Sequence, residues 1–163
     1  MNVKERVLLL LEENSRYTPA DIAAALNVEQ AEVEAVIEAC QADGTLMGYK
    51  ALVDWAKTDR EYVSAIIEIN VHPVKGEGFD SVARTICSFD EVSSVYLMSG
   101  GFDLAVMMEG KSMRDIALFV FEKLAVIDGV SGTATHFVLN KYKDKGIVCG
   151  TPEKDERPMS DVI

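Results

Sequence analysis

The hydrophobic period of this chain changes once, and the change divides it. Up to a charged, apolar-poor break at Ala56 to Glu61 (AKTDRE), apolar residues recur at helical spacing. Beyond it Val63, Ala65, Ile67, Ile69 and Val71 alternate, as a strand with one buried face does, until Pro73 stops the run. A chain of 163 residues can bury a sizeable core as one domain or as two small ones. The switch of period favours two: a helical head over 1–55, a linker over 56–61, a body over 62–145 and a tail over 146–163.

In the head, Val3, Val7, Leu10 and Leu11 fall on one face of a first helix. Thr18-Pro19-Ala20-Asp21 supplies an N-cap, a proline at the first helical position and an acid three residues after the cap, opening a short second helix with Ile22, Ala23 and Leu26 inward. Asn27-Val28-Glu29 reads as a tight turn. A third helix then runs to Asp43 on Val33, Val36, Ile37 and Cys40, and Gly44 ends it. Leu46 to Tyr49 and Leu52 to Asp54 are placed to form a two-stranded wing. Helix, capped helix, tight turn and longer helix make a helix-turn-helix, whose third helix is shaped for a DNA major groove.

The body reads β-α-β-β-α-β, the order of a ferredoxin-like split βαβ fold. Phe79, Val82, Ala83 and Ile86 mark its first helix. Ser112-Met113-Arg114-Asp115 caps a second, with Ile116, Phe119, Val120 and Leu124 inside and Gly129 closing it. The last strand is expected over Val130 to Tyr142, with Thr133, Thr135, Phe137 and Leu139 on one side. With both helices on one sheet face, the other carries Ile66, Met98, Ala105, Met107 and Val138, apolar enough to suggest a second subunit. The tail's glycines, prolines and charges predict little fixed structure beyond a strand at Ile147-Val148. The fold class is therefore α+β, a winged helix-turn-helix followed by a βαββαβ domain.

Between the two middle strands lies Ser99-Gly100-Gly101, where Gly-Gly is expected to supply the positive φ angles of a tight hairpin. On the following strand Phe102, Leu104, Val106 and Met108 point one way and Asp103, Ala105, Met107 and Glu109 the other. Backbone N–H groups at such a turn form a nest for an anion, and Asp103 places a negative charge beside it. A free amino acid carries both complements. Equally, Gly-Gly makes only the turn and Asp103 is solvated.

A net charge of −11 argues against indiscriminate binding to nucleic acid or to an anionic membrane. Three cysteines, widely spaced and without a CxxC pair, look like reduced thiols of a cytoplasmic protein. The longest aliphatic run near the start, Val7 to Leu11, is too short for a membrane span, and a signal-peptide layout is lacking. His72 and His136 are too few and too scattered for a metal site. No nucleophile–base pair or phosphate loop is evident, so no cofactor is expected.

The head, the linker and a βαββαβ body carrying Gly100-Gly101-Phe102-Asp103 together resemble the Lrp/AsnC family, the feast/famine transcription regulators. The likeness covers about residues 1–145. Gly-Gly-Phe-Asp is similar to the family's Gly-x-Tyr-Asp; Thr133-x-Thr135 matches its final strand and Lys141 follows at the usual place. Gly44-Thr45-Leu46 and Gly48-Tyr49 resemble its wing entry, and Asp155-Glu156-Arg157 looks like the tail of some members. The resemblance implies dimers made by sheet-on-sheet contact, assembled further into even-numbered oligomers. It also implies an amino acid effector between subunits near the hairpin, with Met98, Ser99, Gly100, Gly101, Asp103 and Thr135 as its site.

The departures lie in the recognition helix. Where the family usually has Ser, Arg and then a basic residue, this chain has Glu29, Val36 and Glu38. Over residues 1–60, eleven acidic residues face six basic ones, a deficit where phosphate contacts normally supply affinity. For double-stranded DNA the expected contacts are Gln30, Ala31, Glu34 and Glu38 at base edges or the groove wall, and Arg16, Thr18 and Lys50 at phosphates. The leading expectation is an amino-acid-responsive transcription regulator. The alternative is an effector sensor that acts through a hetero-oligomeric partner. An enzyme like the sirohaem decarboxylases, which share this architecture, is the weakest reading.

Overall fold

The computed structural model describes residues 1–72 and 78–149. Two compact units divide the chain, Met1–Leu52 and Val53–Ile163.

The first unit holds α1 (Val3–Glu13), α2 (Pro19–Leu26) and α3 (Gln30–Ala42). The first two helices start at side chains that satisfy free N–H groups, whereas α3 starts after Glu29 with no side-chain cap. Asn2 and Glu5 form a capping box on α1, and Thr18 and Asp21 form another on α2, with Pro19 at the first position. Asn27 turns the chain with φ 54°, and Gly44, at φ +76°, follows the Asp43 cap of α3. Val7, Leu11, Ile22, Ala23 and Val33 form the core, with Val36, Ile37 and Leu46 packed against it. Cys40 is also fully buried.

The expected wing is not formed: residues 43–54 contain no strand. The Leu46 N–H bonds back to the Cys40 carbonyl at 2.9 Å, which ties the segment to α3. Met47 is 95% exposed, and Tyr49, Leu52 and Val53 are about half-exposed. An isolated two-stranded ribbon is marginal.

The second unit begins with a 3₁₀ turn, Trp55–Lys57, capped by Asp54. Then come β1 (Val63–Val71), α4 (Asp80–Cys87), β2 (Val92–Leu97), β3 (Leu104–Gly110), α5 (Met113–Phe119) and β4 (Val130–Phe137). The sheet is antiparallel in the order β2-β3-β1-β4, the expected ferredoxin-like arrangement. Ala65, Ile67, Ile69 and Val71 meet Leu104, Val106 and Met108 on one face, covered by Val82 and Ile86 of α4 and Ile116 and Phe119 of α5. Burying each large aliphatic chain contributes about 1.5–3 kcal/mol.

Four expectations for the body need correction. The helix after Ser112 does not run to Gly129: α5 loosens into a π-helical turn, Val120–Leu124, and ends there. Gly129 is needed instead in the connection to β4, at φ +92°, where its carbonyl accepts from the His72 N–H at 2.7 Å. The last strand stops at Phe137, and Leu139 is 89% exposed. Past it, β5 (Lys143–Asp144) and β6 (Ile147–Val148) make a short hairpin of their own. The expectation for the rest of the tail, Asp155-Glu156-Arg157 included, lies outside the described residues.

The remaining two corrections concern the turn between β2 and β3. It is a six-residue loop, Met98–Asp103, closed by the Met98 N–H on the Asp103 carbonyl at 2.8 Å. Gly100 and Gly101 are not at positive φ, because a loop of this length does not require the conformation of a two-residue turn. Asp103 precedes β3 rather than sitting inside it.

No helix among the described residues is long and apolar enough to cross a membrane.

Candidate functional site

The Met98–Asp103 loop ends next to an irregularity in β1, where the register with β4 shifts between Asn70 and Val71. Asp103 meets β1 there from the β3 side. Its backbone N–H donates to the Ile69 carbonyl at 3.0 Å, and its Oδ2 accepts from the Val71 N–H at 2.7 Å. The carboxylate is half-buried and is a structural acceptor, not a solvated charge. By contrast, the N–H groups of Ser99, Gly100, Gly101 and Phe102 donate to no acceptor of the described residues. Ser99, Gly100 and Gly101 are exposed, and a Cβ added at either glycine would meet nothing within 4 Å. The loop thus offers open donors beside a fixed carboxylate, the arrangement that receives an anion with a neighbouring cation.

Met98 lies opposite Asp103 and is 43% exposed. Thr135 is elsewhere. It pairs with Ile67 on β4, on the helix-covered face and with β1 between it and β3. One chain does not bring Thr135 to the loop.

The sheet face without helices presents Tyr96, Ile66 and Met107, each more than a third exposed. Ala105 on this face is nearly covered by its neighbours. Glu68 and His136 face each other there at 3.3 Å. His136 is level with Ile66, and His72 lies just past the end of β1, six residues beyond Ile66 and about 20 Å away. Among the described residues no group of three His, Cys, Asp or Glu side chains is placed to hold a metal.

On the head, Gln30, Ala31, Glu34 and Glu38 share the exposed side of α3. The Gln30 amide donates to Glu34 at 2.7 Å, so the two present a joined edge. Arg16 and Lys50 are exposed. The Thr18 hydroxyl donates to Asp21 at 2.7 Å and accepts from its N–H, so the hydroxyl is held by the helix cap. Hydrogen bonds from Thr18 lower the Asp21 carboxyl below its ordinary range. At the far end of α3, hydrogen bonds from Thr45, helped by Lys4 at 3.1 Å, lower Asp43 to about 2.

A second cluster lies at the opposite end of β1 and β3. The Tyr62 hydroxyl donates to Glu109 at 2.8 Å and accepts from the Lys141 ammonium at 3.2 Å. Burial raises the Tyr62 pKa, and the bond to Glu109 raises it further. Burial works against the Lys141 charge, but the Tyr62 bond and the Asp144 carboxylate outweigh it and raise the pKa. Sequence spacing gave no sign of this chain, because its members stand 47 and 79 residues apart.

Residues 64–148 match the Lrp/AsnC ligand binding domain, a span that contains all of the four-stranded sheet but Val63, and the Met98–Asp103 loop. The chain belongs to the Lrp/AsnC family. It is 44% identical over 152 residues to the uncharacterized HTH-type transcriptional regulator YugG of Bacillus subtilis, covering 93% of this chain and 92% of that one. Its fold is similar to the Neisseria meningitidis transcriptional regulator NMB0573 in complex with L-Met, at TM-score 0.71 and 20% identity, over 93% of this chain and 96% of the other. Escherichia coli AsnC superposes with TM-score 0.68 at 20% identity, over 90% and 97%. As a member of the Lrp/AsnC family, the chain carries the architecture of a transcription regulator, with a helix-turn-helix joined to a ferredoxin-like domain.

Proposed function

We propose that this chain is an amino-acid-responsive transcription regulator, working as a cytoplasmic protein that binds double-stranded DNA through its head and an amino acid through its body. The observation that carries the effector half is the Met98–Asp103 loop, whose Ser99, Gly100, Gly101 and Phe102 N–H groups are open while Asp103 is held in place. The α-carboxylate goes to those N–H groups. The α-ammonium goes to the Asp103 oxygen that Val71 does not use. Met98 lies beside them, and Thr135 joins the site only as a contribution from another subunit. The L-Met complex of the Neisseria regulator supports an amino acid as the ligand class.

The exposed apolar face of the sheet is covered in this reading by a second copy, giving a dimer and then a higher even-numbered oligomer. In the head, Gln30, Ala31, Glu34 and Glu38 face the groove, and Arg16 and Lys50 the phosphates. Thr18 contributes through the helix start it caps. A second reading is favoured by one observation: α3 carries Glu32, Glu34 and Glu38 and no lysine or arginine. On that reading the chain senses the effector and acts on DNA only through a hetero-oligomeric partner. In neither reading is it an enzyme.

The test is a thermal-shift screen of the twenty amino acids on the full chain and on Gly101→Asp, which places a carboxylate where the ligand's would sit. At least one amino acid should raise the midpoint of the wild type and not of the variant. No shift with any of them would refute the effector site.

A further inference from the structure

β1 and β4 are neighbours in the sheet, and on the face without helices Glu68 of β1 stands diagonally across from His136 of β4. Glu68 Oε1 and His136 Nε2 are 3.3 Å apart, a diagonal that long side chains span across paired strands. In a single chain the two side chains are 35% and 58% exposed. Water then screens the pair, and its contribution is small. A second copy laid over this face removes that water.

The other groups on the face decide what the pair does once covered. Glu68 is flanked in register by Ala105 of β3 and Ala134 of β4, and His136 by Ile66. Met107 lies beside Ile66, and Tyr96 of β2 beside Ala105. The second carboxylate of the face, Glu109 of β3, accepts from the Tyr62 hydroxyl, to which the Lys141 ammonium donates. A cation therefore already accompanies Glu109 at any pH near neutrality. Among the described residues no lysine or arginine pairs with Glu68. Its cationic neighbour is His136, and only while the imidazole is protonated. A second copy presents the same groups, because a two-fold contact uses the same patch on both sides. Covered and neutral, His136 can donate one hydrogen bond but leaves the carboxylate charge without a counterpart, which burial makes costly. Protonated, it makes a charge-assisted bond and cancels that charge.

We propose that Glu68 and His136 form a pH-sensitive switch in the contact between two copies of this chain. The contact holds while His136 is protonated and loosens as its proton leaves. This rests on the second copy covering the sheet face. Imidazole changes its charge between about pH 5 and 8, so the switch works over the range a cell interior can reach. The sign follows from linkage: the assembled form binds the proton more tightly, so association takes up protons and weakens as pH rises. Each copy brings one pair, which sets the limit at about two protons per dimer.

The experiment measures the dimer Kd of the full chain by fluorescence-detected sedimentation at several points between about pH 5.5 and 8. It is repeated with Glu68→Gln and His136→Gln, two substitutions at side chains that reach solvent in the single chain and carry none of its core. The wild-type Kd should rise at least about tenfold across the range, the change that one pKa unit of coupling to a single group produces. H136Q should sit near the wild type's value at the upper pH throughout, and E68Q should not loosen as pH rises. A dimer whose Kd is the same at every pH would overturn the switch and leave the second copy standing. Loosening kept in both variants would assign the dependence to other groups, and tightening with rising pH would give the wrong sign; either overturns it. A wild type that is monomeric at micromolar concentration across the whole range would remove the second copy, and the switch with it.

Discussion

The Asp103 carboxylate accepts the Val71 N–H at 2.7 Å across the point where β1 loses its register with β4. The bond joins residues 32 positions apart and closes the ladder beside the loop that offers its N–H groups to a ligand. A half-buried backbone donor would otherwise lack a partner.

Asp103→Ala should therefore destabilise the body by about 1–3 kcal/mol, the cost of leaving such a donor unsatisfied. Asp103→Asn, whose amide oxygen can replace the acceptor, should cost less. Urea unfolding of the full chain checks both. Equal stability of D103A and wild type would show that the bond contributes nothing. For effector binding, D103N is the informative variant, since it keeps the acceptor and removes the charge.

What was legible in the sequence is what depends on neighbours along the chain. Thr18-Pro19-Ala20-Asp21 is a helix start because its cap and partner are three residues apart, and the structure has that box with the proline in place. The alternation of β1 likewise placed Ala65, Ile67, Ile69 and Val71 in the core. The Asp103–Val71 bond and the Tyr62–Glu109–Lys141 chain depend on distant partners and left no local signature. The wing failed for the opposite reason: Leu46 to Asp54 has strand-like residues, but Leu46 packs on the helices and Met47, Tyr49, Leu52 and Val53 stay exposed among the described residues. In α5, the turn at Val120–Leu124 keeps the apolar spacing that an ordinary helix would have, so the pattern cannot show the π geometry.

The Asp43 carboxylate supplies a pH test. Its pKa is lowered in the folded head by hydrogen bonds from Thr45 and then by Lys4, from an ordinary 3.8 to about 2. The contribution is fully present above the unfolded value and is lost as pH falls through the folded one. Carboxyl NMR should find Asp43 titrating near 2, and Asp43→Asn should remove this part of the head's acid sensitivity. A midpoint at 3.8 would show the contacts absent in solution.

The bare sheet face predicts assembly. Met107 is 38% exposed there and pairs in register with Ile66 of β1. Met107→Lys should convert the oligomer to monomer at micromolar concentration in sedimentation velocity, because a desolvated, unpaired ammonium is costly in an apolar contact. A wild type that sediments as a monomer would contradict the second-copy reading of this face.

In the head, Glu38 lies one turn beyond Glu34 on the exposed side of α3. A carboxylate against phosphates opposes binding, so Glu38→Lys should tighten binding to any duplex with little gain in sequence preference. With few phosphate contacts in the wild type, affinity should depend only weakly on salt, and E38K should steepen that dependence. Salt titrations on specific and random DNA separate the outcomes. Loss of specific binding alone in E38K would mean that Glu38 reads a base.

Effector binding by the body should alter DNA binding by the head, and fluorescence anisotropy on labelled DNA from the protein's own promoter measures this coupling. The full chain is titrated at low salt without ligand and with each of the twenty amino acids. Binding is expected in the absence of partners, with an affinity that at least one amino acid shifts severalfold and that Gly101→Asp leaves unresponsive. An affinity that no amino acid alters, or no binding of this DNA at any protein concentration, would contradict it.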